Sequence, residues 1–588
     1  MTRVFADPDA FVGDALRGFA RAHEDEVALV DGGVVRADRL DRGTVAVIIG
    51  GGSGHYPAFA GYVGQGLAAG AVCGNIFTSP STPQALRVAR AAEAGGGVLF
   101  AYGRYAGDMI HFGEAERRLR EEGVDARTVL ITDDVASAPV EARDERRGIA
   151  GIVCVFHVAG AAADRGDPID EVERLAILAN SRTRSHGVAF SGCTLPGAPH
   201  ALFDVPEGQM SIGLGIHGEP GVRDVPIQSA PQLAVTLAEP LLAERPPDAR
   251  RAAVLLNGLG AVKYEELYLL FGYVVEHLEA QGIEIVEPEC GEFVTSLDMA
   301  GVSLTVMWLD DELEQLWRAP ASSPAFRKGH VAGTAPVRDR ATAVRDRATA
   351  VRAAPAVAPT AAPAAATDAA RAAARLARLL LRDARAAVAE RVDMLGELDA
   401  VAGDGDHGIG MLRGLTAAVE ASAALDDETG VRELLERAGD AWSEVAGGTS
   451  GALWGAALTE LGRSLGSRDA YGAVDIAEAV TAAGRRIAEV GGASPGDKTM
   501  LDAILPFAET LAERVRAGTP PTAALSEAAA VARRAAEETA ALTPRRGRAR
   551  PLAERSVGHA DPGATSFALI VDTVAATSAA SERPREAE

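Results

Sequence analysis

Three carboxylates stand close together in the C-terminal half of the chain: Asp399, Asp404 and Asp406, with His407 directly after them. Negative charges so near in sequence repel one another strongly unless cations bridge them. Oxygen-only ligands suit Mg²⁺, and the spacing is not that of an EF-hand calcium loop. The cluster therefore predicts a magnesium site. A solvated acidic turn is the alternative.

A glycine-rich segment, GGGSGH at residues 50–55, follows an apolar run in the N-terminal half. Its glycines let backbone N–H groups approach a ligand closely. The segment matches neither GxGxxG nor Walker A, so it does not indicate a nucleotide. A tight strand-to-helix turn is the alternative, but His55 directly after the turn favours a small-molecule pocket.

Two further residues of the N-terminal half could take part in chemistry. Asp108 ends the segment YAGD after an apolar run at 97–102, and a carboxylate there can take a proton from a reacting hydroxyl. Taken alone, an aspartate at such a position is more often a helix N-cap than a base. His217 lies in the glycine-rich segment 213–221. Most loop histidines have no catalytic role, but a neutral imidazole can attack a carbonyl.

More glycine-rich loops follow in the C-terminal half: GGTSG at 447–451, GGAS and GDKTM between 491 and 500, and HADPGA at 559–564. The first resembles a helix N-terminus that binds phosphate. Several such loops at one end of a helical bundle are difficult to explain by packing alone.

The elements that must position these residues differ between the halves. Near-continuous apolar runs predict strands buried on both faces, as in a parallel sheet, at 45–50, 97–102, 128–134 and 149–156. A second set predicts another α/β subdomain from about residue 185, at 187–192, 210–218, 252–260 and 302–309. Helical periodicity predicts an all-helical bundle in the C-terminal half, at 368–390, 431–446, 475–490 and 500–540.

Between the halves lies a segment that cannot build a core. It holds VRDRATA twice in tandem, then a run of Ala, Pro and Val without aromatic residues. We expect a multidomain chain: a domain at 1–330 (subdomains about 1–185 and 186–330), a linker at 331–367 and a helical domain at 368–588.

Composition narrows the function classes. A formal charge of −24 over 588 residues argues against nucleic-acid binding. The four cysteines form no CxxC pair, so no zinc site or disulfide framework is predicted. The N-terminal residues contain no apolar signal region, and we expect no apolar stretch to be long enough to span a bilayer. We therefore expect a cytoplasmic protein with no membrane partner.

Taken together and in this order, the motifs resemble the dihydroxyacetone kinase family. GGGSGH, YAGD and GIHGEPG are similar to its ketose-binding half. GDGDHG, GGTSG, GDKTM and GHADPGATS are similar to its helical nucleotide-binding half. The resemblance covers nearly the whole chain outside the linker.

This resemblance implies a role for each motif. His217 would form a hemiaminal with the substrate carbonyl, with Asp108 near the reacting hydroxyl and His55 as acid–base companion. Gly52, Ser53 and Gly54 would line the sugar, and Asp399, Asp404 and Asp406 would hold two Mg²⁺ ions on ATP. The residues implied in nucleotide contact are His407, Gly408, Ile409, Gly410, Thr449, Ser450, Gly491, Met500, Arg548, Asp561, Pro562 and Gly563.

The helical half would be an eight-helix barrel, and the linker would let the halves meet within one chain or across a homodimer. Tyr56, Phe59 and Gly103 stand where many dihydroxyacetone kinases have Glu, His and Lys. These segments resemble those of the erythrulose kinases, so erythrulose is the favoured substrate and dihydroxyacetone the close second. A ketose-sensing regulator without kinase activity is the alternative outside enzymes.

Overall fold

The computed structural model describes residues 4–219, 221–329, 366–401, 405–446, 448–545 and 553–582. The chain divides into two compact units, Met1–Ala358 and Pro359–Glu588. The tandem VRDRATA repeat and nearly all of the predicted linker lie outside the described residues.

The first unit begins with a six-stranded sheet in the order β1-β2-β4-β3-β5-β6. Its strands are β1 Val27–Val30, β2 Gly33–Arg36, β3 Ala46–Ser53, β4 Gly70–Ile76, β5 Val98–Gly103 and β6 Ala126–Ile131. Strands β4, β3, β5 and β6 run parallel, as the apolar runs predict. Strands β1 and β2 add an antiparallel edge that the sequence did not reveal.

The second sheet of this unit has the order β11-β10-β13-β7-β8-β9, with β12 also paired to β10. Its strands are β7 Thr183–Ala189, β8 Gln209–Ile212, β9 Arg223–Pro226, β10 Arg251–Gly258, β11 Glu284–Ile285, β12 Glu289–Gly291 and β13 Gly301–Leu309. Most of its pairs are antiparallel. A small hairpin of β14 Ala321–Ser322 and β15 Arg327–Lys328 follows.

Helices separate and cover the two sheets. They are α1 Phe11–Ala22, α2 Thr82–Ala92, α3 Ala106–Glu121, α4 Ile152–Arg165, α5 Ile169–Arg182, α6 Ala230–Leu242, α7 Tyr264–Ala280 and α8 Asp311–Trp317. Side chains on one face of β3 join the core with α2 and α3, and those on the other face join the core with α4 and α5. The core that contains α4 and α5 also includes residues of β10 and β13 in the second sheet. Helices α6 and α7 cover the opposite face of that second sheet. The unit is therefore built in five alternating layers of helix and sheet.

The prediction of a strand at 149–156 is wrong, because these residues begin α4. Every residue of this helix from Ile152 to Ala163 is buried, as expected for a helix between two sheets. A helix that is apolar on all sides gives the same continuous apolar run as a buried strand.

Within the described residues, the second unit is entirely helical, and its core is formed by helix–helix contacts. The helices are α9 Asp368–Ala389, α10 Val392–Asp399, α11 His407–Ala423, α12 Val431–Ala446, α13 Gly448–Leu465, α14 Ala473–Gly491, α15 Leu501–Arg516, α16 Pro521–Glu538, α17 Ala553–Ser556 and α18 Pro562–Glu582. Thr367 caps α9 by accepting a hydrogen bond from the backbone N–H of Ala370.

Helix α18 contains a stretch, Pro562–Ala580, that is long and apolar enough to cross a membrane by length and composition. The prediction that no apolar stretch is long enough to span a bilayer is therefore wrong. Core helices pass the same test, and Phe567, Ile570 and Val571 of α18 belong to the core of the helical unit. Packing in this core explains the apolar composition of α18.

Candidate functional site

A cavity in the first unit is lined by residues from both sheet regions. Gly52, His55, Asp108 and His217 all border it, so the structure brings four of the predicted residues together. Ser53 ends β3 and Gly54 forms the adjoining turn with φ +104°.

The two predicted histidines touch. Nε2 of His55 lies 2.9 Å from Nε2 of His217, and the two rings meet edge to face. His55 follows β3 in the first sheet, whereas His217 lies in the loop after β8 in the second. The contact therefore depends on the stacking of the two sheets.

The partners of the other ring nitrogens fix the proton count of this pair. Nδ1 of His55 lies 2.7 Å from the carbonyl oxygen of Thr295, so it must carry a proton and donate. Nδ1 of His217 lies 3.2 Å from a carboxylate oxygen of Glu219 and donates in the same way. With both Nδ1 atoms donating, a hydrogen bond between the two Nε2 atoms needs one further proton, shared between them.

Burial, reinforced by the charge of His217, lowers the pKa of His55 to about 3. His55 is therefore neutral near pH 7, with its proton on Nδ1 and the lone pair of its Nε2 facing Nε2 of His217. Phe77 stacks on His55 with ring centroids 5.0 Å apart, which holds that ring in place.

Asp108 lies in the first turn of α3, which begins after β5. Tyr105 is the N-cap residue, so the alternative role of Asp108 as a cap does not apply. The side chain is buried, and its Oδ1 atom has no hydrogen-bond partner among the described residues. Burial raises the pKa of Asp108 to about 7. A buried carboxylate with a free oxygen facing a cavity can accept a proton from a ligand.

Sequence reasoning gave no role to several residues around the pair. Oε2 of Glu219 accepts a hydrogen bond from the backbone N–H of His217, and Oε1 accepts one from Nδ1 of His217. Nη1 of Arg147 lies 3.6 Å from Oε2. Glu219 stands two positions after His217 in the same motif, and this proximity in sequence could have revealed it as a partner of the histidine. The carbonyl oxygen of Thr295 cannot be found in this way, because every residue has a backbone carbonyl.

The predicted metal ligands belong to the helical unit. Asp399 ends α10 and accepts a hydrogen bond from the backbone N–H of Gly405 at 2.9 Å. Asp406 is the N-cap residue of α11. Burial and the charge of Asp399 raise the pKa of Asp406, which shows that the two carboxylates are electrostatically coupled. Carboxylate oxygens in such proximity fit Mg²⁺.

Asp404 and Arg548, the other two predicted residues of this region, lie outside the described residues. Within the described ranges, no group of three or more His, Cys, Asp or Glu side chains is placed to hold a metal ion.

Helix N-termini from distant parts of the chain gather near these carboxylates. His407 starts α11, and its Nε2 lies 3.0 Å from Oγ of Ser566 in the first turns of α18. Gly408 packs so closely on the carbonyl oxygen of Val392 that an added Cβ would lie 2.1 Å from it. Gly408 and Gly410 add no side chains to the first turn of α11, and the side chain of Ile409 between them is half exposed.

The remaining predicted nucleotide residues join the same cluster. Thr449 and Ser450 lie in the first turn of α13, and the Ser450 hydroxyl approaches the sulfur of Met411 in α11 at 3.9 Å. A Cβ on Gly563, next to Pro562 in α18, would lie 3.3 Å from Met500, the N-cap of α15. Gly491 ends α14, and a Cβ there would meet Leu453 of α13 at 3.4 Å.

Asp561 precedes α18 and accepts a hydrogen bond from the backbone N–H of Ala564 at 2.7 Å. Burial raises its pKa to about 7. Nearby, Nζ of Lys498 donates to the carbonyl oxygens of Leu542 and Ser556. Sequence reasoning gave Lys498 no role, although it lies in the GDKTM segment.

Comparison with known proteins matches both units. The Dak1 domain matches residues 17–325, and the DAK2 domain matches residues 401–576. The L-erythrulose kinase of Pectobacterium atrosepticum is 50% identical over 582 residues, which are 98% of this chain and 96% of the relative. The D-erythrulose kinase of Mycolicibacterium smegmatis is 53% identical over 585 residues, 98% of each chain.

A solved structure covers the same length. The dihydroxyacetone kinase from C. freundii in complex with AMP-PNP and Mg²⁺ is 27% identical, with a TM-score of 0.52, and the match covers 98% of this chain and 99% of that one. With both domains matched in order and full-length relatives about half identical, the chain belongs to the dihydroxyacetone kinase family and is similar to its erythrulose kinases.

Proposed function

We propose that this protein transfers phosphate from ATP to a terminal hydroxyl of a short-chain ketose, with the ketose held on His217 as a hemiaminal. Erythrulose is the favoured substrate and dihydroxyacetone the close second. The observation that carries the covalent step is the 2.9 Å contact between the Nε2 atoms of His55 and His217 at the cavity.

The shared proton of the histidine pair is the one that carbonyl addition needs. It passes from His217 to His55, which frees the Nε2 lone pair of His217. This lone pair attacks the carbonyl carbon, the C=O π electrons move to oxygen, and the oxygen takes the proton from His55. The product is an alkylated, positively charged His217 ring beside a neutral His55, so charge and atoms balance.

The covalent anchor explains selection for carbonyl compounds. A polyol such as glycerol offers hydroxyls but no carbon for His217 to attack. Hydrogen bonding alone discriminates between such similar molecules less sharply.

Asp108 is the proposed general base. The hydroxyl that attacks the phosphate must lose its proton. Asp108 lines the cavity, and its Oδ1 atom has no hydrogen-bond partner among the described residues. A pKa of about 7 is well matched to this task near neutral pH. His55 lies in the same cavity and completes the acid–base set.

The helical unit is the proposed ATP site. Asp399, Asp404 and Asp406 would hold Mg²⁺, two ions by the family resemblance, which neutralises phosphate charge in an acidic protein. The first turns of α11, α13 and α18 offer backbone N–H groups for phosphate. AMP-PNP and Mg²⁺ in the C. freundii structure support this assignment.

The barrel architecture of the helical unit is also proposed. Among the described helices of this unit, eight have sixteen or more residues: α9, α11, α12, α13, α14, α15, α16 and α18. Each packs against the next in this order, and α18 packs against α9. This closed sequence of neighbours supports an eight-helix barrel.

We also place the enzyme in the cytoplasm as a homodimer, as the family resemblance implies. The regulator alternative is less favoured, because a DAK2 domain matches in addition to the ketose-binding half. Sedimentation of the purified chain tests the oligomeric state.

An ADP-release assay tests the function. The purified chain is given MgATP with D-erythrulose, L-erythrulose, dihydroxyacetone, glyceraldehyde or glycerol. We expect turnover with ketoses, highest with an erythrulose, and none with glycerol. Turnover of glycerol comparable to that of the ketoses would refute the carbonyl anchor, and no turnover with any ketose would refute the kinase assignment.

A further inference from the structure

Glu219 holds His217 at two points. One carboxylate oxygen accepts a hydrogen bond from the backbone N–H of His217 at 3.0 Å, and the other accepts one from its Nδ1 at 3.2 Å. Because the backbone and the ring are bound to the same carboxylate, the ring cannot turn without losing a charge-assisted hydrogen bond. The remaining nitrogen, Nε2, meets Nε2 of His55 at 2.9 Å, and both rings line the cavity.

The surrounding loop leaves room for this arrangement only because residue 215 is glycine. A Cβ on Gly215 would lie 2.0 Å from a carboxylate oxygen of Glu219 and 2.5 Å from Nη1 of Arg147. Any side chain at this position would displace the carboxylate from His217. Glycine at position 215 of this motif therefore leaves the space that the carboxylate of Glu219 occupies.

Arg147 is a cation beside Glu219. It donates to Asp134 at 2.8 Å, and its Nη1 lies 3.6 Å from a carboxylate oxygen of Glu219. Burial raises the pKa of Glu219, but the charges of His217 and Arg147 outweigh it and leave that pKa well below its usual range. Glu219 stays ionised during catalysis.

We infer that Glu219 is a positioning residue for covalent capture of the ketose, which directs Nε2 of His217 at the carbonyl and compensates the positive charge of the ring. This inference rests on the proposed hemiaminal. After addition the ring is positive, because Nε2 is alkylated and Nδ1 keeps its proton. Before and after addition the same carboxylate faces Nδ1–H.

Three variants separate the roles of Glu219. Glu219→Gln keeps the size and one acceptor oxygen but removes the charge, and Glu219→Ala removes both. Gly215→Ala displaces the carboxylate by steric conflict and leaves Glu219 itself in place. Glu207→Gln is the matched control, because Glu207 is an exposed residue of the same unit.

Carbon-13 NMR observes capture directly. The full chain without ATP is titrated with dihydroxyacetone or L-erythrulose labelled at the carbonyl carbon, whose signal moves from the ketone region to the sp³ region in a hemiaminal. For Glu219→Gln we expect the affinity for covalently bound ketose to fall about tenfold to a hundredfold, the range for a lost charge-assisted hydrogen bond. Glu219→Ala and Gly215→Ala should lose at least as much, and Glu207→Gln nothing.

Two outcomes separate this inference from the proposed function. A hemiaminal signal of equal affinity in the parent chain and in Glu219→Gln would overturn the role of Glu219 alone. Absence of the signal in the parent chain, despite turnover, would overturn the hemiaminal and this inference with it. Circular dichroism checks folding, and if the alanine variants do not fold, the isosteric Glu219→Gln decides.

Discussion

Lowering the pH from 7 to 5 should slow phosphoryl transfer about fiftyfold, because Asp108 must be ionised to accept the proton of the attacking hydroxyl. Burial raises the pKa of this carboxyl, so its charged form is lost as the pH falls through about 7. An aspartate at the protein surface would stay ionised throughout this range.

The magnitude follows from the ionised fraction. With a pKa of about 7, roughly half of Asp108 is ionised at pH 7 and about 1% at pH 5. With the ordinary value of 3.8, about 94% would still be ionised at pH 5 and the rate would fall by less than about a tenth. The two cases differ so widely that a coarse profile separates them.

Single-turnover quench-flow at saturating ketose and MgATP measures the transfer step without product release. Asp108→Asn should lower the rate constant by about 10²–10⁴-fold and remove the rise in rate between pH 5 and 7. Asp41→Asn, at an exposed position, is the control and should behave as the parent. A flat parent profile, or an unchanged slope in Asp108→Asn, would refute the assignment of Asp108 as the base.

Three other substitutions test the remaining roles. His217→Ala should lower kcat/KM for ketoses by about a thousandfold or more, and a near-normal value would exclude the hemiaminal. Gly103→Lys fills the cavity, since even a Cβ would lie 3.0 Å from the Tyr105 ring. It should therefore reduce kcat/KM for erythrulose more than for dihydroxyacetone, and an equal loss would contradict the idea that this space admits the fourth carbon. Asp399→Asn keeps the acceptor for Gly405 but loses a charge, so calorimetry should show weaker AMP-PNP binding with Mg²⁺ and unchanged binding without it.

The sequence identified side chains better than it identified the elements around them. Asp108 and the glycines of β3 were predicted because they follow apolar runs, and ligands of such sheets bind beyond strand ends. The run at 149–156 misled the same reasoning, because α4 lies between two sheets and is apolar on every side. Periodicity reports which faces are buried, and it gives no information when all of them are.

The edge strands of the first sheet escaped prediction for a related reason. β1 and β2 have four residues each, which is too short for an alternating pattern to stand out. In the helical unit, by contrast, long amphipathic helices carry a strong signal, and the run 431–446 coincides with α12.

The positions of the protons on the two histidines cannot be predicted from the sequence. His55 and His217 are 162 positions apart, and the carbonyl oxygen that fixes the His55 tautomer belongs to a residue 240 positions away. Each histidine alone could carry its proton on either nitrogen. Only the stacking of two sheets, which brings Thr295 and Glu219 to opposite ends of the pair, turns the two Nε2 atoms toward each other. The proposed nucleophile and its proposed proton donor therefore depend on the fold, although both side chains can be found in the sequence.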